Sequence, residues 1–147
     1  LSFLDHPWIE TPHIDQLAEN SFYFDRAYVT TSLCSPSRAS ILTGLYAHSH
    51  KVIDNDTPLP SQLPTFPIEL QKAGYHTAFV GKWHMGGSND QPRDGFDHWV
   101  SFRGQGKYFD PELNVDGSRI SRKGYTPDLL TEYAVDYLKS RDRQQQP

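Results

Sequence analysis

Four side chains in this sequence have the types and the spacing to handle an anion: Cys34, Arg38, Lys82 and His84. Cys34 and Arg38 are four residues apart, which on a helix places them on one face, one turn from each other. Lys82 and His84 alternate by two, so an extended backbone through them turns both side chains the same way. The set joins one nucleophilic atom to two cations and one group that titrates near neutrality. Cys34 also opens a helical pattern that tolerates Pro36 in its first turn and stops at Gly44. Unpaired backbone N–H groups and the positive end of the helix dipole gather at such a start, and both suit a tetrahedral anion such as sulfate.

Other residues of chemical interest have weaker settings. His48 and His50 would share one side of an extended segment as a transition-metal pair, but no third ligand is evident, so a structural or substrate-edge role is preferred. Trp83 and Trp99 offer faces to a sugar, with packing as the alternative. His6, His13, His76 and His98 have no constellation around them and read as surface or core histidines. Asn55-Asp56-Thr57 is a glycosylation triplet of a kind common by chance. A single cysteine excludes an internal disulfide and a cysteine-rich metal cluster.

The elements that must position these groups follow from pattern. Thr11 caps a short helix with Pro12 in its first turn and Ile14, Leu17 and Ala18 on one face. Phe22 to Thr30, rich in aromatic and β-branched residues, reads as a strand or extended segment that delivers the chain to Cys34. Four prolines between Lys51 and Pro67 mark a surface loop. Thr65 then caps a helix running to Ala73, Gly74 stops it, and Tyr75 to Val80 forms a strand that ends at Lys82 and His84. A helix feeding a strand with polar residues at its carboxyl end is the arrangement of an open α/β sheet, where sites gather at strand ends. Residues 88 to 125 are turn-rich and give no clear elements. Thr126 caps the last helix, with Leu129, Leu130, Tyr133, Ala134, Tyr137 and Leu138 on one face.

Size and charge bound the reading. A chain of 147 residues supports one core, and a mean hydropathy of -0.66 gives it a polar surface. The formal charge of -4 provides no general attraction for anions, so an anion site has to be built locally. No block of Lys and Arg marks a nucleic-acid face, and no run approaches the roughly 18 apolar residues of a membrane span. The chain starts at Leu1 without a methionine, and Gln144-Gln145-Gln146-Pro147 reads as a frayed or truncated end, so a longer parent is expected.

Cys34-Ser35-Pro36-Ser37-Arg38-Ala39-Ser40-Ile41-Leu42-Thr43-Gly44 resembles the sulfatase signature C-x-P-S-R-x-x-x-L-T-G at every fixed position. Gly81-Lys82-Trp83-His84-Met85-Gly86 resembles a second sulfatase motif, G-K-W-H-x-G, in the right order downstream. Thr11 to Ala18 looks like the family's T-P-N-I-D-x-L-A segment. Gly104 to Pro111 is similar to a stretch in sulfatases of sulfated glycans, including N-acetylglucosamine-6-sulfatases.

The resemblance implies a partial α/β domain of the alkaline phosphatase superfamily, with a mostly parallel sheet flanked by helices. It makes residues 1–147 a fragment of one catalytic domain, lacking the first strand and the C-terminal part. It also implies that a formylglycine-generating enzyme oxidises Cys34 to formylglycine, whose hydrate attacks the sulfur of a sulfate ester. A cysteine thiolate would serve poorly, having no proton to lose when the sulfated intermediate collapses; a hydrate has two hydroxyls. On the same resemblance Arg38 holds formylglycine, Lys82 contacts a sulfate oxygen and His84 accepts a proton. Residue 34 would also ligate a divalent ion, usually calcium, whose other ligands include paired aspartates upstream, where only Asp5 stands. The expected location is periplasmic, secreted or lysosomal. The same signature leaves open a formylglycine phosphodiesterase or phosphonate monoester hydrolase, and a fragment that binds glycan without catalysis.

Overall fold

The computed structural model describes residues 1–141 and 147. Gln144 to Gln146, expected as part of a frayed end, lie outside the described residues. The chain forms helices α1 (Pro12–Glu19), α2 (Cys34–Thr43), α3 (Ala47–His50) and α4 (Phe66–Lys72), then strands β1 (Ala78–Gly81), β2 (His98–Ser101), β3 (Glu112–Val115) and β4 (Ser118–Ser121), and finally α5 (Thr126–Ser140). None of the described helices is long and apolar enough to cross a membrane.

The four strands form one sheet in the order β1-β2-β3-β4. Only β1 and β2 are parallel; β2–β3 and β3–β4 are antiparallel, so the sheet is mixed rather than mostly parallel. The cause is local. Val115 pairs with Ser118 across Asp116-Gly117, and both turn residues have positive φ, 49° and 89°. Two left-handed residues make the tight reversal whose twist matches an antiparallel hairpin. Asp116 also ties the hairpin back to β2, accepting the Trp99 amide at 2.7 Å and lying 3.0 Å from His98 Nδ1.

Two apolar clusters flank the sheet. Ala39 and Leu42 of α2 pack with Val52, Trp83, Met85 and Trp99, with Phe79 and Phe96 against them. Val100, Phe102 and Leu113 pack beneath Leu130 and Tyr133 of α5. Trp99 is 1% exposed, stacks on Phe79 at 4.7 Å and donates its indole N–H to the Asp90 carbonyl at 2.8 Å. Trp83 is buried in the same cluster, so both tryptophans are packing residues.

Several sequence expectations change here. Phe22 to Thr30 forms no strand; Phe22, Phe24 and Tyr28 stand exposed, and aromatic content alone cannot hold a strand that has no partner among the described residues. The strand expected from Tyr75 starts at Ala78, because the Thr77 amide and hydroxyl are both engaged by the Asp97 carboxylate. Thr126 is the first residue of α5 rather than its cap, and its hydroxyl donates to the Lys107 carbonyl. Thr11 precedes α1 as expected, but its hydroxyl is directed to the Asp15 carboxylate rather than to a backbone amide.

Removing the indole that joins three aromatic rings leaves a cavity with the Asp90 carbonyl unpaired inside it. Trp99→Ala in the protein carrying this chain is expected to lower unfolding stability by about 3–5 kcal/mol. Denaturant titration measures it, and a loss under about 1 kcal/mol would remove the aromatic cluster from its supporting role.

Candidate active site

The site forms where the start of α2 meets the end of β1. Leu33 is extended and Cys34 begins the helix; Gly44, at φ 70°, ends it with its amide on the Ser40 carbonyl. Two side chains of α2 then grip the backbone that follows β1. Arg38 Nη1 donates to the Lys82 carbonyl at 2.5 Å, and the Ser35 hydroxyl donates to the His84 carbonyl. Lys82 Nζ consequently lies 3.6 Å from Cys34 Sγ. Cys34 opens into a depression of about 460 Å³ lined by Val29, Ser32, Leu33, Ser37, Arg38 and Ile41.

The extended geometry expected through Lys82 and His84 does not hold. β1 ends at Gly81, whose φ is 140°, and His84 takes a left-handed φ of 50°. His84 reaches the cluster by this turn, and its Nδ1 is buried with no hydrogen-bond partner. Burial pushes its imidazole below the ordinary histidine value, and the charges of Lys82 and Arg38 push it further, against a weaker pull from Asp56. Arg38 Nε is likewise buried and unpartnered. Two buried polar atoms without a protein partner thus stand near Cys34 and Lys82.

The backbone at the helix start serves differently from expectation. The Ser35 amide donates to Asn55 Oδ1 at 3.1 Å, Pro36 has no N–H, and the Ser37 amide donates to the Leu33 carbonyl at 2.9 Å. Attraction for an anion therefore rests on Lys82, Arg38 and the helix dipole more than on a row of free amides. Asn55 is a residue that sequence reasoning passed over as part of a glycosylation triplet. Its signal is the Asp54-Asn55-Asp56 run, in which Asp54 accepts the Asp56 and Thr57 amides and so turns Asn55 toward α2.

His48 and His50 do not make a metal pair. Both sit in the short helix α3, where His50 is buried and His48 is exposed on Tyr46. His50 Nδ1 accepts the Val52 amide at 3.1 Å, which places its proton on Nε2, 3.1 Å from Ser40 Oγ. Burial, reinforced by His48, lowers its proton affinity too. Among the described residues no three or more His, Cys, Asp or Glu side chains converge to hold a metal ion.

In this α/β protein a thiol at a helix start, a lysine and an arginine converge at the carboxyl end of two parallel strands, where sites gather in such folds. The sulfatase family profile matches residues 1–147, and the chain belongs to that family. It is 42% identical over 138 residues to an N-acetylglucosamine-6-O-sulfatase of Bacteroides thetaiotaomicron, covering 92% of this chain and 24% of that protein. It matches a solved structure described as a complex with its substrate D-glucosamine-2-N,6-O-disulfate, at TM-score 0.89 and 39% identity, over 99% of this chain and 29% of the other. A phosphonate monoester hydrolase of Agrobacterium radiobacter matches at TM-score 0.51 and 33% identity, over 55% of this chain and 16% of its own. The chain thus spans about a quarter of the length of the curated relative it resembles.

Two buried imidazoles of lowered proton affinity give stability a definite pH dependence. In the unfolded chain both return to about 6.5 and take up protons first as pH falls. Their contribution is full above about 6.5, declines as pH drops through the window beneath, and levels once the folded imidazoles protonate. Urea midpoints between about pH 7.5 and 5 should fall in the parent and fall less in His50→Gln and His84→Gln; a level or rising parent curve would contradict this.

Proposed function

We propose that the protein carrying this chain is a sulfuric ester hydrolase that removes sulfate from a sulfated carbohydrate, using formylglycine derived from Cys34. The observation that carries the reading is the placement of Lys82 Nζ 3.6 Å from Cys34 Sγ, with Arg38 one helical turn beyond and the neutral His84 beside both. The sulfur marks the position that the side-chain oxygens of formylglycine would take. As its hydrate, formylglycine would supply one hydroxyl to attack sulfur, with the carbohydrate oxygen leaving as the alcohol, and a second hydroxyl whose deprotonation would release sulfate and restore the aldehyde.

The chain's own residues suit that chemistry. Lys82 is a mobile point charge that offsets negative charge on the sulfate oxygens as the ester bond breaks. Arg38 fixes the Lys82 carbonyl with Nη1 and keeps Nε for an oxygen at position 34. His84, held neutral by burial and by the adjacent cations, is available to accept a proton at Nδ1 or Nε2. Calcium takes six to eight oxygen ligands, and the described residues do not by themselves form such a shell.

The extent of the structural match favours sulfate esters over phosphonates: the disulfated-glucosamine complex matches over 99% of the chain, the phosphonate hydrolase over 55%. A 6-sulfated glucosamine residue is the substrate class to try first.

Expression with a formylglycine-generating enzyme should convert the thiol of Cys34 to an aldehyde, read by mass spectrometry of the peptide containing it. Turnover of an aryl sulfate should exceed that of a phosphate diester, and Cys34→Ala should reduce it by about a thousandfold or more. A thiol that stays unmodified in active protein would sink the formylglycine mechanism. Faster diester cleavage would transfer the protein to the phosphodiesterase class, and glycan binding without hydrolysis would make it a binding protein.

A further inference from the structure

The shortest hydrogen bond of the Lys82 ammonium is to Gln105, a residue of the turn-rich Gly104 to Pro111 stretch to which no role has been given so far. Lys82 Nζ donates to Gln105 Oε1 at 2.6 Å, while the same nitrogen is 3.6 Å from Cys34 Sγ. The fold brings the two together for a simple reason. β1 and β2 are parallel, with Gly81 opposite Ser101, so both chains leave the sheet at the same edge. Lys82 follows the first strand at once, and Gln105 comes four residues after the second.

The turn that presents Gln105 is built for it. The Gly106 amide closes the turn on the Arg103 carbonyl at 3.0 Å, and Gly104 and Gly106 have φ of 55° and 72°. A Cβ on Gly106 would meet the Phe102 ring at 2.6 Å, so the turn lies directly on that buried ring. Arg103 points to the buried Asp90 carboxylate at 3.9 Å, which Arg119 also holds. An exposed glutamine is thereby carried on an anchored hairpin of backbone.

We propose that Gln105 is a positioning residue that holds the Lys82 ammonium over position 34. Lysine has a flexible four-carbon stem, and a single fixed acceptor removes much of its freedom to point elsewhere. The acceptor's chemistry matters. A glutamine carbonyl orients the ammonium without cancelling its charge, whereas a carboxylate at the same place would orient it and neutralise the field that attracts sulfate. The inference rests on the reading of Lys82 as a sulfate-contacting group.

The test measures inorganic sulfate binding calorimetrically, in the full-length protein, with a double-mutant cycle. Gln105→Ala should weaken sulfate by roughly three- to tenfold at an unchanged thermal midpoint, since an exposed side chain away from the core carries little stability. Gln105→Glu should weaken it at least as much. In a Lys82→Ala background, Gln105→Ala should have no further effect, because the glutamine acts through the lysine. Turnover of an aryl sulfate should lose kcat in Gln105→Ala by a similar factor. Equal affinity in Gln105→Ala and the parent, additive losses in the double variant, or a parent that does not bind sulfate would each overturn the proposal. Binding is read without turnover, so a protein that shows this coupling yet hydrolyses no sulfate ester sinks the proposed function and leaves Gln105 in place.

Discussion

The site depends on how the first turn of α2 is fastened to the backbone after β1. Arg38 and Ser35 both donate to carbonyls there, at Lys82 and His84. Each bond joins residues more than forty positions apart in sequence, and each satisfies a carbonyl that the strand's end leaves free. The spacing of the two grips matters. Lys82 and His84 present their carbonyls to α2 while Trp83 and Met85 between and after them enter the core. A single short segment thus lines the candidate site and anchors it in the hydrophobic core.

The anchor explains why a left-handed histidine is tolerated. His84 is not a residue that adopts positive φ without cost, and strain of that kind persists where the surroundings over-determine it. Trp83 is held by Phe79, Phe96 and Trp99, Met85 is 1% exposed, and the His84 carbonyl is bound from α2. With both neighbours buried, the backbone turn between them has little freedom to relax. The imidazole is carried into a desolvated place beside two cations, and its lowered proton affinity follows from that placement.

How much of this was legible in the sequence varied with the origin of each feature. The helix at Cys34 was readable because its stop is local: Gly44 takes the left-handed conformation that the pattern demands. The last helix was readable because its apolar face repeats, and Leu129, Leu130 and Tyr133 do pack inward. The β3–β4 hairpin was missed although Asp116-Gly117 is a strong two-residue turn signal; the strands beside it are only four residues long, and their polar residues hid the alternation. The segment from Phe22 to Thr30 misled for the converse reason, since strand propensity measures a fit to neighbours that this stretch lacks among the described residues. Of the site, the residue types at 34, 38, 82 and 84 were legible. The way they meet was not, because it is set by tertiary bonds to carbonyls and by one left-handed residue.

Charge gives the last step. The chain carries a formal charge of -4, yet the surroundings of Cys34 hold Lys82 and Arg38, with the proton affinity of His84 lowered by burial first and by these cations second. Several cations elsewhere pair with carboxylates: Arg119 with Asp90 and Glu112, Lys123 with Asp110, Arg122 with Glu132. Lys82 and Arg38 instead bond to neutral acceptors, the Gln105 amide oxygen and a backbone carbonyl. A neutral partner fixes direction and leaves the charge undiminished, so the field at position 34 stays positive within an acidic protein. The first amides of α2 are partly taken by Asn55 and Leu33, which makes that side-chain charge the main source of attraction for an anion. Neutral anchoring of the two cations is therefore the feature that distinguishes this corner of the fold from its structural ion pairs.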